Sequence, residues 1–409
     1  MTASRSVHQI MATTDVHSAL GAGDLLLGHL HQSRADNLLV DCGDFFEGTG
    51  YYRLGQGALE REILLGLYDV IAPGNHGWPH YFEPVLRRRT VCANTVDAAS
   101  GNALFQHLRI VEVAGRRTAV TGVIGLQAFD SIPVGQRAGH RATDPVQALR
   151  ELMLAHHHEV DSWVLLSHSG FEEDLRLAEA CPFLDVIFAG HCHSPHTGPA
   201  RVGNTIVLKG RELTVGYAIA APGPVGWGGR TALFPDSAEA LGPDLPLELA
   251  SLRDRMATVE AQLAEPLGRI AKPYRNHQLD RRALLRDVAD RLRSGLGREA
   301  VVLNETTVRT TLLGEVLTTG DLLAIEPFAN TLVEARVAPA HRHDPEALAA
   351  HLTERVGPLV TSPDPLPARL TSVLTTDYLA DSCLGGRTHP AGLGLGSAIR
   401  STLTDGDDQ

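Results

Sequence analysis

Two aspartates, one asparagine and five histidines sit just past apolar runs in this chain. The densest group is Ala189-Gly190-His191-Cys192-His193, which follows the apolar run Asp185-Val186-Ile187-Phe188. In extended backbone, positions i and i+2 point the same way, so His191 and His193 can face one centre. Cys192 between them points away and reads as a small buried residue, not a thiolate ligand. Three earlier apolar runs end in Asp15-Val16-His17, Gly43-Asp44 and Gly74-Asn75-His76, and a fourth ends in Ser167-His168-Ser169. A lone histidine at such a place is ordinarily a surface or core residue. Five strand ends carrying Asp, Asn and His point instead to a metal site, because open α/β sheets bind ligands at the carboxyl ends of their strands. The mixed oxygen and nitrogen donors suit Mn²⁺, Fe or Zn²⁺ better than a sulfur-rich set would.

The elements that must position these residues follow from the apolar pattern. Val7 to Thr14 reads as a strand delivering Asp15 and His17, and helical spacing follows to about Gln32. Asn37–Asp41 delivers Asp44, a helix spans Gln56 to Leu67, and Asp69–Ala72 delivers Asn75 and His76. Val91–Asn94 reads as a further short strand, and Arg109–Gly125 as a hairpin around Gly115. Asp144-Pro145 marks a helix start, with Asp as N-cap and Pro in the first turn. Ser162–Leu166 delivers His168, and Pro182 stops the helix that begins at Phe171. Thr205–Leu208 and Val215–Ala220 read as strands, 221–229 as a loop or hairpin tip, and Leu247–Leu263 as a bridging helix. A helix from Leu279 to Leu296 then leads into the strand Val301–Leu303.

A length of 409 residues exceeds one ordinary core, so two domains are expected. With 43% hydrophobic and 21% charged residues the chain is globular rather than disordered. The net charge of −12 gives no reason to expect binding to a nucleic-acid polymer or an anionic membrane, and an anionic ligand would need local positive charge. Five cysteines without a Cys-x-x-Cys argue against a disulfide framework or structural zinc. Met-Thr-Ala-Ser-Arg runs into a strand by Val7 with no apolar leader, and no membrane-length apolar segment follows, so a cytoplasmic location is the expectation.

The ordered series Asp-x-His, Gly-Asp, Gly-Asn-His, a single His and Gly-His-x-His resembles the metallophosphoesterase (calcineurin-like) superfamily. The loop Phe45-Phe46-Glu47-Gly48-Thr49-Gly50 is similar to the 5′-nucleotidase-type branch, and Asn304 to Arg309 with Pro327-Phe328-Ala329-Asn330 is similar to that branch's C-terminal substrate domain. The resemblance implies an α/β (α+β) fold: a four-layer β-sandwich flanked by helices, plus a smaller C-terminal α/β domain, with the active site in the cleft between. The implied divisions are 1–235 for the metallophosphoesterase domain, 236–270 for a linker with bridging helix, and 271–409 for the substrate domain. Two divalent ions (Mn, Zn or Fe) are implied. Asp44 would bridge them; Asp15, His17 and His193 would complete one, and Asn75, His168 and His191 the other. Two dications against two carboxylates leave a positive site, which suits a phosphate dianion. The implied activity is hydrolysis of a small phosphate monoester, a nucleoside 5′-monophosphate first, by metal-activated hydroxide. His76 would be catalytic rather than a ligand, stabilising transition-state charge and protonating the leaving oxygen. Asn304, Arg309, Phe328, Asn330 and Tyr378 are the implied substrate contacts.

Two departures stand out. Members of the branch carry an Asp three residues after the catalytic His to orient it, whereas this chain has Pro79 there. Either another residue holds His76, or the metals carry more of the reaction, or activity is low; His80 is one substitute to consider, against the plainer reading of a surface histidine. The context of Tyr378, Thr375-Thr376-Asp377-Tyr378-Leu379-Ala380, also lacks the branch's intact aromatic motif. Rival readings therefore include a phosphatase of a sugar phosphate or biosynthetic intermediate, a 2′,3′-cyclic nucleotide phosphodiesterase, a sulfur-ester hydrolase and a non-catalytic metal-binding relative.

Overall fold

Along the strand Ser162–His168, Val164 and Leu166 point into one apolar core while Trp163 and Leu165 point into another. Both faces of this strand are buried, as its continuous apolar run requires. The structure is a computed structural model that describes residues 5–21, 23–237 and 245–404. It divides into two units, Met1–Glu47 with Tyr51–Val259, and Gly48–Gly50 with Glu260–Gln409.

The first unit contains a five-stranded sheet in the order Gly226–Leu233, Gly216–Gly223, Gln9–Thr13, Asn37–Asp41, Val70–Ile71. It also contains a six-stranded sheet ordered Ala200–Val202, Thr205–Leu208, Val186–Ala189, Ser162–His168, Arg116–Ile124, Leu108–Val113. One core joins the two sheets face to face: Ile10, Ala12, Leu38 and Val40 meet Val164, Leu166, Val186 and Phe188. Helices Pro145–His156 and Phe171–Ala180 cover the outer face of the second sheet through Leu149, Leu152, Leu177 and Ala178. Helix Gly23–Ser33 packs on Asn37–Asp41 and on helix Ala58–Leu67, where Leu27, Leu30, Ile63 and Leu64 are buried. This is the helix–sheet–sheet–helix layering that the family resemblance implied.

Strand direction places the site. Gln9–Thr13, Asn37–Asp41 and Val70–Ile71 are parallel, so the loops carrying Asp15, Asp44 and Asn75 leave from one edge. Arg116–Ile124, Ser162–His168 and Val186–Ala189 are likewise parallel and bring His168 and His191 to one edge.

Several local expectations shift. The helix read from Gln56 to Leu67 starts at Ala58, after Gly57, which is left-handed at φ +78°, and a short helix Gly50–Gly55 precedes it. The segment 221–229 is mostly strand: Gly216–Gly223 and Gly226–Leu233 form a long hairpin turning at Pro224-Val225. Its second strand is Gly-rich and largely exposed, so it lacks the apolar signal of a buried strand. Val91–Asn94 is not a regular strand: Val91 makes an isolated bridge to Gln106, and the Ala93 amide donates to Gly122 O at 2.7 Å. Asp144 does cap its helix, accepting from the Gln147 amide at 2.9 Å with Pro145 at the start.

The second unit holds a five-stranded sheet ordered Leu359–Ser362, Val301–Asn304, Ser372–Thr376, Thr331–Arg336, Arg387–Gly394. Val301 and Leu303 pack with helices Arg281–Gly295 and Leu395–Thr404 on one face. Val302 packs with helix Pro345–Val356 on the other. Helix Leu247–Leu263 runs through the point at which the chain divides. Among the described residues, no helix is long and apolar enough to cross a membrane.

Candidate active site

The parallel ladder of the first sheet continues beyond its strands. Cys42 N–H donates to Thr13 O, Asp15 N–H to Gly43 O, His17 N–H to Asp44 O and Ser18 N–H to Phe45 O, all at 2.8–3.0 Å. The loop bearing Asp15 and His17 thus runs beside the loop bearing Asp44. Four of the donors lie in the left-handed region although none is glycine: Asp15 at φ +50°, His17 at +49°, Asp44 at +56° and His191 at +75°. Such conformations are uncommon outside glycine and cluster at functional sites. Gly74 lets the third loop come close: a Cβ there would lie 2.0 Å from Asp44 Oδ1.

The result is three overlapping groups of donors: Asp15, His17 and His193; His17, Asp44 and His76; and Asp44, His168 and His191. Within each, the donor atoms lie within 4.8 Å of one another. Asn75 joins the third group through Oδ1, 3.1 Å from His168 Nε2. Asp15, His17, Asp44, Asn75 and His168 are buried, His191 and His76 are half-buried, and His193 is exposed.

The donor set fits a divalent cation on one specific ground. His168 Nδ1–H donates to the carbonyl of Cys42 at 2.8 Å, which fixes its tautomer. Its Nε2 then faces Asn75 Oδ1 at 3.1 Å and Asp44 Oδ2 at 3.3 Å, two acceptors opposite a nitrogen lone pair. A second proton or a cation satisfies that arrangement. Burial opposes the His168 charge, but Asp44 and Asp15 outweigh it and push the imidazole up to about 9. Burial also opposes the Asp44 charge, and His168, His76 and His17 outweigh it and hold that carboxyl below the usual range. His191 is pushed down to about 4 by burial and by repulsion from His168. Burial raises Asp15, whose carboxylate accepts from Thr14 Oγ1 at 2.5 Å and from the His191 amide at 3.1 Å.

Cys192 turns away from these groups, its Sγ accepting the Phe171 N–H at 3.1 Å. His80 is half-buried rather than a surface residue. It stacks on Phe46 and bonds to Tyr52 Oη at 2.9 Å and Glu83 Oε1 at 2.8 Å.

Two site-supporting residues escaped sequence reasoning. Lys209 is fully buried, and its Nζ donates to Cys192 O at 2.6 Å and Ser194 O at 2.7 Å, the carbonyls on either side of His193. Glu47 Oε2 lies 3.1 Å from His76 Nδ1. The available signals were a lysine directly after the apolar strand Thr205–Leu208 and an acid three residues beyond Asp44.

In the second unit, the Arg309 guanidinium lies over the Phe328 ring at 5.6 Å from its centre, and Phe328 is exposed. Asn330 is buried, with Nδ2 donating to Glu326 Oε1 at 2.9 Å and Thr307 Oγ1 at 3.1 Å. Asn304 is buried at the end of its strand and donates to Thr306 Oγ1 at 2.7 Å. Tyr378 is exposed in the first turn of helix Asp377–Cys383.

Residues 8–195 match the calcineurin-like phosphoesterase family. That match covers just under half of the chain. The 5′-nucleotidase of Rattus norvegicus is 28% identical over 221 residues, which cover 45% of this chain and 38% of that protein. With 32% of a Treponema pallidum relative also matched, the chain spans about a third of the length of the curated relatives it resembles. In fold, the chain is similar to a 5′-nucleotidase precursor from Thermus thermophilus, at a TM-score of 0.71 and 18% identity over 97% of this chain and 96% of that one. It is also similar in fold to the sulfate thiohydrolase SoxB of the same organism, at 0.68 and 20% identity over 96% and 81%. Calcineurin-like phosphoesterases use divalent metals, and the strand ends of this chain bring together donor groups of the kind that hold them.

Proposed function

We propose that this chain hydrolyses phosphate monoesters, nucleoside 5′-monophosphates first among them, with two divalent ions. One observation carries the reading: carboxylate and imidazole donors from five separate strand ends meet in groups no wider than 4.8 Å. Asp15, His17 and His193 would hold one ion, and Asn75, His168 and His191 the other. Asp44 would serve both, since its Oδ2 faces His17 and His168 alike. When bound, such ions polarise phosphoryl oxygens and make a strong nucleophile available at neutral pH.

The protein's own groups do the rest. Asp44 is held in place by the His76 amide, which donates to its Oδ1 at 2.8 Å. His76 stands at the rim, its ring 5.0 Å from that of His17. There its imidazole would donate a proton to the leaving oxygen as the ester bond breaks. Residues 271–409 are read as the substrate domain, with the exposed Phe328 offering a face to a planar base and Arg309 an anionic or hydroxyl clamp. Asn304, Asn330 and Tyr378 stay as further substrate contacts in this reading.

The test is phosphate release by Mn²⁺-loaded protein from mononucleotides, 2′,3′-cyclic nucleotides and sugar phosphates, with His76→Ala alongside. Selective release from mononucleotides, lost in the variant, is the expected result. Release from sugar phosphates alone would keep the monoesterase and overturn the nucleotide assignment. Failure to release phosphate from any of them would overturn the reading as a whole.

A further inference from the structure

His76 has no acid three residues on, where Pro79 is exposed, yet its ring is not left to solvent. Glu47 reaches it from the neighbouring loop, with Oε2 at 3.1 Å from Nδ1 and both side chains about three-quarters covered, at 27% and 29% exposed.

The path of that loop is built rather than accidental. Phe45 and Phe46 are fully buried immediately before Glu47. Phe45 meets Tyr68 edge-on at 5.5 Å, and Phe46 stacks on His80 at 4.4 Å and meets Tyr81 at 5.7 Å. His80 is itself fixed between Tyr52 and Glu83. Glu47 then adopts φ +63° and Gly48 φ +108°, a left-handed pair that turns the chain at this point. Gly77, next to His76, gives the room: a Cβ there would lie 2.4 Å from Phe46 Cβ. A strained non-glycine residue persists only where its surroundings over-determine it, and here two buried rings do so.

Resting on the phosphoester reading above, we propose that Glu47 is the positioning residue of His76: its carboxylate accepts the Nδ1 proton, fixes the ring and its tautomer, and leaves Nε2 to the substrate. The role that sequence reasoning sought three residues after His76 is filled from three residues after Asp44. The strand-end loop that supplies Asp44 to the metal groups thereby also holds the histidine beside them. Glu47 acts through His76 and touches no reacting atom.

The experiment compares Glu47→Ala, Glu47→Gln, His76→Ala and the Glu47→Ala/His76→Ala pair, all loaded with Zn²⁺. Orienting partners of this kind cost about 10- to 100-fold when removed. Glu47→Ala should therefore lower kcat for an alkyl phosphate by that factor, with KM and zinc content unchanged. Glu47→Gln keeps an acceptor for the Nδ1 proton and should recover part of that loss. The loss should be at least about fivefold smaller for 4-nitrophenyl phosphate, whose leaving group needs little protonation. The double variant should be no slower than His76→Ala alone. A second readout does not depend on turnover: the histidine ¹⁵N spectrum should show a protected Nδ1–H that disappears in His76→Ala and in Glu47→Ala. A further loss in the double variant, equal losses on both esters, or an unchanged Nδ1–H in Glu47→Ala would overturn the proposal. If the unaltered protein cleaves neither ester, the phosphoester reading fails, and the ¹⁵N spectra still decide whether Glu47 holds His76.

Discussion

The backbone N–H of His76 donates to Oδ1 of Asp44 at 2.8 Å, while Oδ2 of the same carboxylate faces His168 Nε2 at 3.3 Å and His17 Nε2 at 3.7 Å. One oxygen is spent on the backbone and the other is aimed at both imidazole sets. Asp44→Asn keeps an acceptor for the His76 amide but removes the charge between the imidazoles. Even outer partners of metal ligands cost about 10- to 100-fold when lost, so this inner carboxylate should cost more than about 100-fold in kcat. Metal content by elemental analysis should fall with it, while circular dichroism stays unchanged. Full metal occupancy with normal turnover would remove Asp44 from the centre.

Lys209 is a second point of leverage. Its buried ammonium satisfies the carbonyls of Cys192 and Ser194, and Glu212 Oε2 lies 3.4 Å from it. Lys209→Met fills the space but leaves both carbonyls unpaired. A buried group left without its partner costs about 1–3 kcal/mol, so urea denaturation should show a loss of about 2 kcal/mol or more. Affinity for Zn²⁺ should also weaken, because the segment bearing His193 loses its tether. A change below about 0.5 kcal/mol would mean that other groups hold these carbonyls.

The strand ends were legible because each donor follows an apolar run whose period and length mark it as a buried strand. Parallel pairing then leaves those ends no choice but to meet. Glu47 and Lys209 were not legible, for different reasons. The reach of Glu47 depends on a left-handed turn and on two rings packing behind it, neither of which leaves a periodic trace. A lysine after a strand reads as solvent-exposed, because lysines are almost never fully buried unless paired, and its partners here are carbonyls that no residue type reveals. The strand Gly226–Leu233 was hidden in the same way: its glycines hold a ladder to Gly216–Gly223 without contributing an apolar face.

Asp41 gives stability a pH dependence of unusual sign. It is fully buried, accepts from Thr13 Oγ1 at 2.6 Å and from the Gly43 amide at 3.0 Å, and burial pushes its carboxyl up to about 8. Below about pH 4 both folded and unfolded chains carry the proton. Between about pH 4 and pH 8 the unfolded chain has lost it and the folded chain has not, so this group's contribution falls as pH rises, by roughly 1 kcal/mol per unit. Asp41→Asn retains an acceptor for the Gly43 amide and cannot ionise. Its stability relative to the unaltered protein should therefore increase from about pH 5 to about pH 8 in paired urea titrations at each pH. Parallel curves over that range would show that Asp41 is already ionised in the folded state.

Gly77→Ala tests the packing that brings the Glu47 loop to His76. The position has φ +66°, and the added methyl would lie 2.4 Å from Phe46 Cβ and 2.9 Å from its Cγ. Phe46 is fully buried between His80 and Tyr81, so its ring cannot rotate away without disturbing both. Left-handed strain in a non-glycine residue costs about 1–3 kcal/mol, and the steric contact adds to it. Thermal unfolding should shift down accordingly. If the loop moves to relieve the contact, Glu47 moves with it, and the protected Nδ1–H of His76 should vanish while zinc is still bound. A variant that lost stability but kept that proton would show that the loop yields elsewhere and that the Glu47–His76 contact survives without the close approach at Gly77.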